Sequence, residues 1–399
     1  MKKLMILGGS RYILPIIEAA HKLGAYVITC DYLPDNIAHK YSDEYANVSI
    51  IDKEAVLAKA KELDIDGIMS FACDPGVATA AYVANQMGLP SSGPYESVKI
   101  LQNKARFRKF LTDNGFNVPV AKGYSNIEDA LKDVDIFNWP VIVKPTDSAG
   151  SKGVTRVDDK DKLKDSIEYA LSFSHCNEFI IEDFLDKKGC SSDCDCFSVD
   201  GELKFVSFSA QRFDEDCENP YVPAAYSWPE TYSKEVRKGL ESEIQRLLHL
   251  LKMKTSVYNI ETRECSNGKS YIMECSPRGG GNRLSEMMRY ATGVDMVTNS
   301  VRAALGLEIE RIEQKDYNGY WVEVILHSEK PGVFDKLEIS DDIKENLVEE
   351  DLWIKEGIEV GGFSGANEAI GTLVLRFDSG SEMEDFLKRQ KELVKVKLK

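Results

Sequence analysis

Residues 260–283 read IETRECSNGKSYIMECSPRGGGNR. Asn267-Gly268 lies between two runs that alternate apolar and polar residues, and Asn-Gly in that setting is the strongest short signal for a tight hairpin turn. With those two residues as the turn, Ser266 pairs with Lys269, Arg263 with Ile272, and Glu261 faces Glu274. Like charges directly opposite each other destabilise a strand pair. A cation between them removes that penalty. A hard divalent ion that also bridges phosphate oxygens suits two facing carboxylates. The plainer reading is a pair of solvated carboxylates. Just downstream, Gly279, Gly280 and Gly281 let backbone approach a ligand closely. Arg278, Asn282 and Arg283 around them suit an anion.

Upstream, residues 141–153 read VIVKPTDSAGSKG. Lys144 ends an apolar strand, which gives it an interior stem and a head in a cleft. The small residues from Thr146 to Gly153 can close over phosphates with backbone N–H groups. The order G-x-x-x-x-G-K-[ST] is absent, so this is not a P-loop. A glycine-serine loop alone is a weak signal. Joined to a strand-end lysine and a downstream carboxylate pair, it becomes a phosphate-binding pattern.

Residues 1–100 alternate short apolar runs (KLMILGG, AYVITCDYLP, DGIMSFACD) with stretches of helical spacing. That order predicts a doubly wound parallel sheet with ligand contacts at the strand C-termini. ILGGSR followed by Asp31 invites a nicotinamide-dependent oxidoreductase reading, but the G-x-G-x-x-G spacing is missing. Glycines in a tight strand-to-helix turn explain it better. Residues 101–312 form a second unit, with a lid subdomain at about 118–205. Residues 313–399 have short alternating segments and read as a third, β-rich domain.

The totals agree. A chain of 399 residues suits two or three domains. Its net charge of -16 argues against nucleic acid or an anionic membrane as partner. Only four apolar residues separate Lys3 from Gly8, too few for a signal peptide. No run approaches the roughly 20 apolar residues of a membrane span. Nine irregularly spaced cysteines in a long chain point to a reduced, cytoplasmic protein. The five histidines show no metal-ligand spacing.

Lys104 in QNKARFRKFL, Lys144 in VIVKPTDSAGSKG, Glu182 in FIIEDFL, and Glu261 with Glu274 together resemble the ATP-grasp superfamily. The branch it resembles holds carbamoyl-phosphate synthase large chains, biotin carboxylases and phosphoribosylglycinamide synthetases. The fold this implies is α/β and α+β. It has an N-terminal doubly wound parallel-sheet domain, two α+β subdomains clamping ATP, and a C-terminal β-rich domain. The resemblance implies that Lys104 and Lys144 neutralise phosphates, with Ser148, Ser151, Lys152 and Gly153 in the mobile lid. Glu182 and the backbone of Phe184 and Leu185 would hold adenine, and Glu261 and Glu274 would bind Mg²⁺ or Mn²⁺. Arg278 and Lys144 would serve the chemistry. Arg11, Arg278, Asn282 and Arg283 would meet a small anionic substrate such as an amino acid.

The implied reaction is attack of a substrate carboxylate on the γ-phosphate, followed by capture of the acyl phosphate by an amine or thiol. Expected partners are small-molecule carboxylate and amine substrates, and the reading is compatible with a homodimer. Two departures stand out. Ser276 holds a position where the family commonly has a metal-binding Asn. Cys190, Ser191 and Ser192 stand where a Glu or Gln often binds ribose. The first of these lends some support to a catalytically silent, ATP-binding regulatory protein.

GCSSDCDCFS at 189–198 raises a separate question, since three cysteines fall within seven positions. Cys194 and Cys196 alternate on a strand and so share a face. Neighbours along one strand face rarely converge on a tetrahedral ion, and no second cysteine pair completes a set. Buried structural thiols are the expectation.

Overall fold

The computed structural model describes residues 1–148 and 150–399; Ala149, inside the expected phosphate loop, lies outside the described residues. The chain divides into two compact units, each built from three segments. The first comprises Met1–Ala121, Asp193–Ser207 and Ser233–Lys315. The second comprises Lys122–Ser192, Phe208–Tyr232 and Asp316–Lys399. No helix among the described residues is long and apolar enough to cross a membrane.

The first unit opens with the expected parallel sheet. Its strand order is Glu44–Asn47, Tyr26–Asp31, Lys3–Leu7, Gly67–Ser70, all parallel. Leu4, Met5, Ile6 and Leu7 are fully buried, as a strand covered on both faces requires. The edge strand Glu44–Asn47 has four residues and mixed polarity, so no apolar run announces it. Helix Lys53–Leu63 starts on Asp52, whose side chain accepts from the Ala55 N–H, and ends on a left-handed Asp64.

The same unit holds an antiparallel sheet in the order Glu202–Val206, Ser192–Val199, Ser256–Glu264, Ser270–Ser276. Its last two strands are the predicted hairpin, with a different turn. The Gly268 N–H donates to the Cys265 carbonyl at 3.0 Å, and the Cys265 N–H to Lys269 at 2.9 Å. Gly268 takes φ +75°, so the loop is a three-residue turn closed by a left-handed glycine, the next most common hairpin geometry. Arg263 therefore faces Tyr271 rather than Ile272. A bulge then leaves Met273 without a partner, and the register shifts back by one. Glu261 faces Glu274, as the sequence predicted, because the longer turn and the bulge offset each other.

The second unit contains an antiparallel sheet in the order Ala121–Tyr124, Phe179–Asp183, Val141–Pro145, Thr155–Val157. Helix Leu163–Leu171 packs on it through Leu163, Ile167 and Ala170, against Val141, Val143, Phe179 and Ile181. The C-terminal residues are β-rich. A five-stranded sheet runs Ala210–Phe213, Pro223–Trp228, Tyr320–Leu326, Gly371–Phe377, Leu347–Leu352. Two of those strands come from the middle of the chain, which the sequence reading did not foresee. Helix Gly380–Leu393 closes this core with Met383, Phe386 and Leu393.

Candidate functional site

Asn259 faces Ser276 and Glu261 faces Glu274 across the hairpin. Residues two apart on a strand share a face, so all four side chains lie on one face of the sheet. Helix Lys104–Asp113, started by the Asn103 side chain at the Arg106 N–H, lies beside it. Lys104 places its Nζ 3.2 Å from Glu274 Oε1. One turn later, buried Arg108 donates through Nη1 to the carbonyl of the bulged Met273 at 2.7 Å. One helix face thus answers the carboxylate and fixes the bulge that sets its register. Arg263 lies 3.3 Å from Glu261.

The neighbouring strand adds two carboxylates that the sequence reading saw only as spacers between cysteines. Asn259 Nδ2 donates to Asp193 Oδ1 at 2.7 Å and to Asp195 Oδ1 at 3.2 Å. Burial, reinforced by Glu261 and Asp195, pushes Asp193 up to about 8. Burial also raises Asp195, although Ser285 and the Gly280 N–H bond to it and oppose the shift. Alternation sends the thiols to the other side. Buried Cys194 and Cys196 donate to the carbonyls of Ile260 and Tyr258. Burial drives both thiols upward, which keeps them protonated and unreactive. The period of two that places the cysteines also places the aspartates, and following it from Asp193 would have exposed this face.

Ser276 is bonded within the protein. Its hydroxyl accepts from Gln102 Nε2 at 2.8 Å and donates to Asp74 Oδ1 at 2.9 Å. Asp74, in the first turn of helix Asp74–Met87, takes the Arg278 guanidinium bidentately at 3.0 and 2.6 Å. Burial pushes Asp74 up, but Arg278 outweighs it and holds the carboxyl below its ordinary value. Gly279 passes so close to Phe71 that an added Cβ would sit 2.3 Å from the ring. Asn282 and Arg283 follow at φ +51° and +57°, a left-handed pair that costs of order 1–3 kcal/mol per residue and is typical of ligand-binding loops. Tyr12 donates to Asn282 Oδ1 at 3.2 Å, which joins the turn carrying Arg11 to this loop. Arg283 lies 3.3 Å from Glu286.

The donor set fits a hard divalent cation. Two carboxylates face each other and two more lie on the adjacent strand, where burial first, and then the charges of Glu261 and Asp195, raise Asp193.

In the second unit, buried Lys144 and buried Glu182 form an ion pair of 2.5 Å on adjacent strands. The Phe184 N–H donates to the Pro140 carbonyl at 3.0 Å, so what Phe184 can offer an adenine is its own carbonyl. Leu185 follows, buried. The glycine-serine loop is fixed at both ends. Asp147 accepts from Ser174 Oγ and from the N–H groups of His175 and Cys176 at 2.9–3.0 Å. Ser151, at φ +59°, donates from Oγ to the Tyr221 carbonyl at 3.0 Å. Ser148 is half-buried, Lys152 is exposed, and Gly153 is buried with φ +71°.

Comparison with known proteins bears on the domain and the fold. The family "ATP-grasp domain" matches residues 137–286. The large chain of carbamoyl phosphate synthase from Thermoanaerobacter sp. (strain X514) is 24% identical over 62% of this chain, and the match spans 22% of that relative's own length. Among solved structures, the L-amino acid ligase from Bacillus licheniformis superposes with TM-score 0.81 at 20% identity, covering 100% of this chain and 99% of that one. The biotin carboxylase domain of the 2-oxoglutarate carboxylase from Hydrogenobacter thermophilus, solved as a dimer with MgADP and bicarbonate, gives TM-score 0.76 at 16% identity, over 100% and 91% of the two chains. Residues 137–286 thus match the ATP-grasp domain, and over its whole length the chain shares the fold of these solved structures.

Proposed function

We propose that this protein joins a small carboxylate to an amine at the expense of ATP, through an acyl phosphate. The observation that carries the proposal is the facing pair Glu261 and Glu274, with Lys104 3.2 Å from Glu274 and Arg278, on the hairpin's outgoing loop, held by Asp74. Glu261 and Glu274 would hold Mg²⁺ or Mn²⁺, which would supply charge neutralisation for phosphoryl transfer. Lys104 and Lys144 neutralise phosphate charge. Glu182, the Phe184 carbonyl and the Leu185 backbone hold adenine. Ser148, Ser151, Lys152 and Gly153 belong to the loop whose N–H groups cover the phosphates.

Arg278 is aimed by Asp74, which Ser276 orients in turn. Its guanidinium steadies the substrate carboxylate while that oxygen bonds to the γ-phosphorus and the bond to the ADP oxygen breaks. The amine then attacks the acyl carbon, loses a proton, and phosphate leaves. Positioning and charge neutralisation carry most of such a reaction. Asn282, Arg283 and Arg11 would select the substrate. The likeness to an L-amino acid ligase supports an amino acid as one substrate class.

The test is ADP release by purified protein given ATP, Mg²⁺ and pooled amino acids and small carboxylic acids. Lys144→Ala and Glu274→Ala are each expected to lose on the order of 10²–10³-fold in rate. Wild-type turnover in either variant would sink the assignment of these residues.

A further inference from the structure

Asp214, Cys217 and His327 lie in the second unit, on elements that carry none of the residues assigned above. Asp214 and Cys217 bracket a turn just after strand Ala210–Phe213, in which the Cys217 N–H bonds to the Asp214 carbonyl at 3.3 Å. His327 directly follows strand Tyr320–Leu326. The side chains are about nine-tenths buried, and one donor atom from each lies within 4.8 Å of the other two. Asp-x₂-Cys is a chelating spacing of the kind zinc sites use, with the third donor supplied from elsewhere in the chain. That third donor has no neighbour in sequence to betray it, so histidine spacing alone gives no sign of it.

Hydrogen bonds orient these groups toward one another. His327 Nδ1 lies 2.6 Å from the Ile325 carbonyl, which can only accept, so Nδ1 carries a proton. Nε2 points at Asp214 Oδ2, 3.2 Å away, and the Cys217 thiol bonds to the same carboxylate. An imidazole nitrogen, a thiol and a carboxylate oxygen are thus gathered within reach of one ion, and these are the donor types zinc takes.

The outward atoms of the same groups are held as metal ligands usually are. Asp214 Oδ1 accepts from Lys391 Nζ at 2.6 Å, and the His327 ring stacks on Phe363 with centroids 4.0 Å apart. Lys391 also bonds Asp216 and Glu329 at 2.7 Å each. One ammonium therefore serves three carboxylates, and negative charge remains for a divalent ion to offset.

We propose that Asp214 Oδ2, Cys217 Sγ and His327 Nε2 bind one zinc ion, with the fourth position left to water. Binding ionises the thiol and releases its proton. The ion ties the 214–217 turn to the strand end at 327. The chain that follows this turn supports the glycine-serine loop, through Asn219 and Tyr221 at Ser151.

The experiment uses the full chain with its purification tag removed. Metal content is measured by inductively coupled plasma mass spectrometry after added Zn²⁺ and gel filtration, and Co²⁺ is then loaded in place of zinc. The expected result is about one zinc per chain, with a cobalt–thiolate charge-transfer band. Cys217→Ser should abolish the band, His327→Ala should cut retained zinc at least tenfold, and Cys176→Ser should change neither. Glu261 and Glu274 have no thiolate and cannot produce that band. A folded wild-type chain that retains no zinc and gives no thiolate band would overturn the proposal and leave an imidazolium–carboxylate pair. A band that survives Cys217→Ser would overturn it as well.

Discussion

Arg108 shows how much one side chain can set. It is buried, it sits one turn from Lys104, and it caps the carbonyl of the bulged Met273. Replacing it with leucine strands that carbonyl, which costs about 1–3 kcal/mol. Arg108→Leu is therefore expected to lower the urea midpoint and to weaken Mn²⁺ binding, read by electron paramagnetic resonance, because Glu274 loses its fixed register. An unchanged midpoint with unchanged Mn²⁺ affinity would show that the bulge holds itself. Asp74 offers a pH test. Its carboxyl is depressed below the ordinary 3.8, so the stability it contributes is complete above that value and is lost as pH falls through the depressed one. Asp74→Asn should cost on the order of 3 kcal/mol at neutral pH. It should also flatten the fall in Tm as pH drops below about 4. A slope equal to wild type would remove Asp74 from the acid response.

At the scale of elements, the hairpin shows both the reach and the limit of sequence reasoning. Asn267-Gly268 marks the turn, and the facing carboxylates follow from it. The intermediate pairing at Arg263 does not follow, because a turn one residue longer and a bulge at Met273 shift the register twice. Bulges depend on tertiary partners such as Arg108, which lies 165 positions away from the carbonyl it caps. The cysteine-rich strand teaches the same lesson. Cys194 and Cys196 are buried as expected and Cys190 is only half-buried, yet the side of the strand that matters is Asp193 and Asp195. Gly268 allows a local test. Its φ of +75° is open to glycine and costly to alanine, so Gly268→Ala should destabilise by about 1–2 kcal/mol, measured by thermal unfolding, whereas Gly268→Asn should cost less. Equal losses would mean the turn has relaxed to another type.

At the scale of the molecule, the alternation of strands and helices gave the parallel sheet. Segment composition gave a β-rich C-terminal region. Neither could show that each unit is assembled from three stretches of chain, or that strands Ala210–Phe213 and Pro223–Trp228 join the C-terminal sheet. Periodicity reports which face of an element is buried, not against what. The facing of Glu261 and Glu274 was legible because it follows from a local turn pattern. Asp74, which aims Arg278 from 204 positions away, was not. The central claim is that this fold makes an acyl phosphate. The measurement that tests it most directly supplies ATP, Mg²⁺, hydroxylamine and pooled amino acids and small carboxylic acids, then follows ADP and hydroxamates by mass spectrometry. The account predicts one hydroxamate rising in step with ADP, and its mass names the acid. ADP released with the true acid present and no hydroxamate formed would contradict acyl-phosphate chemistry.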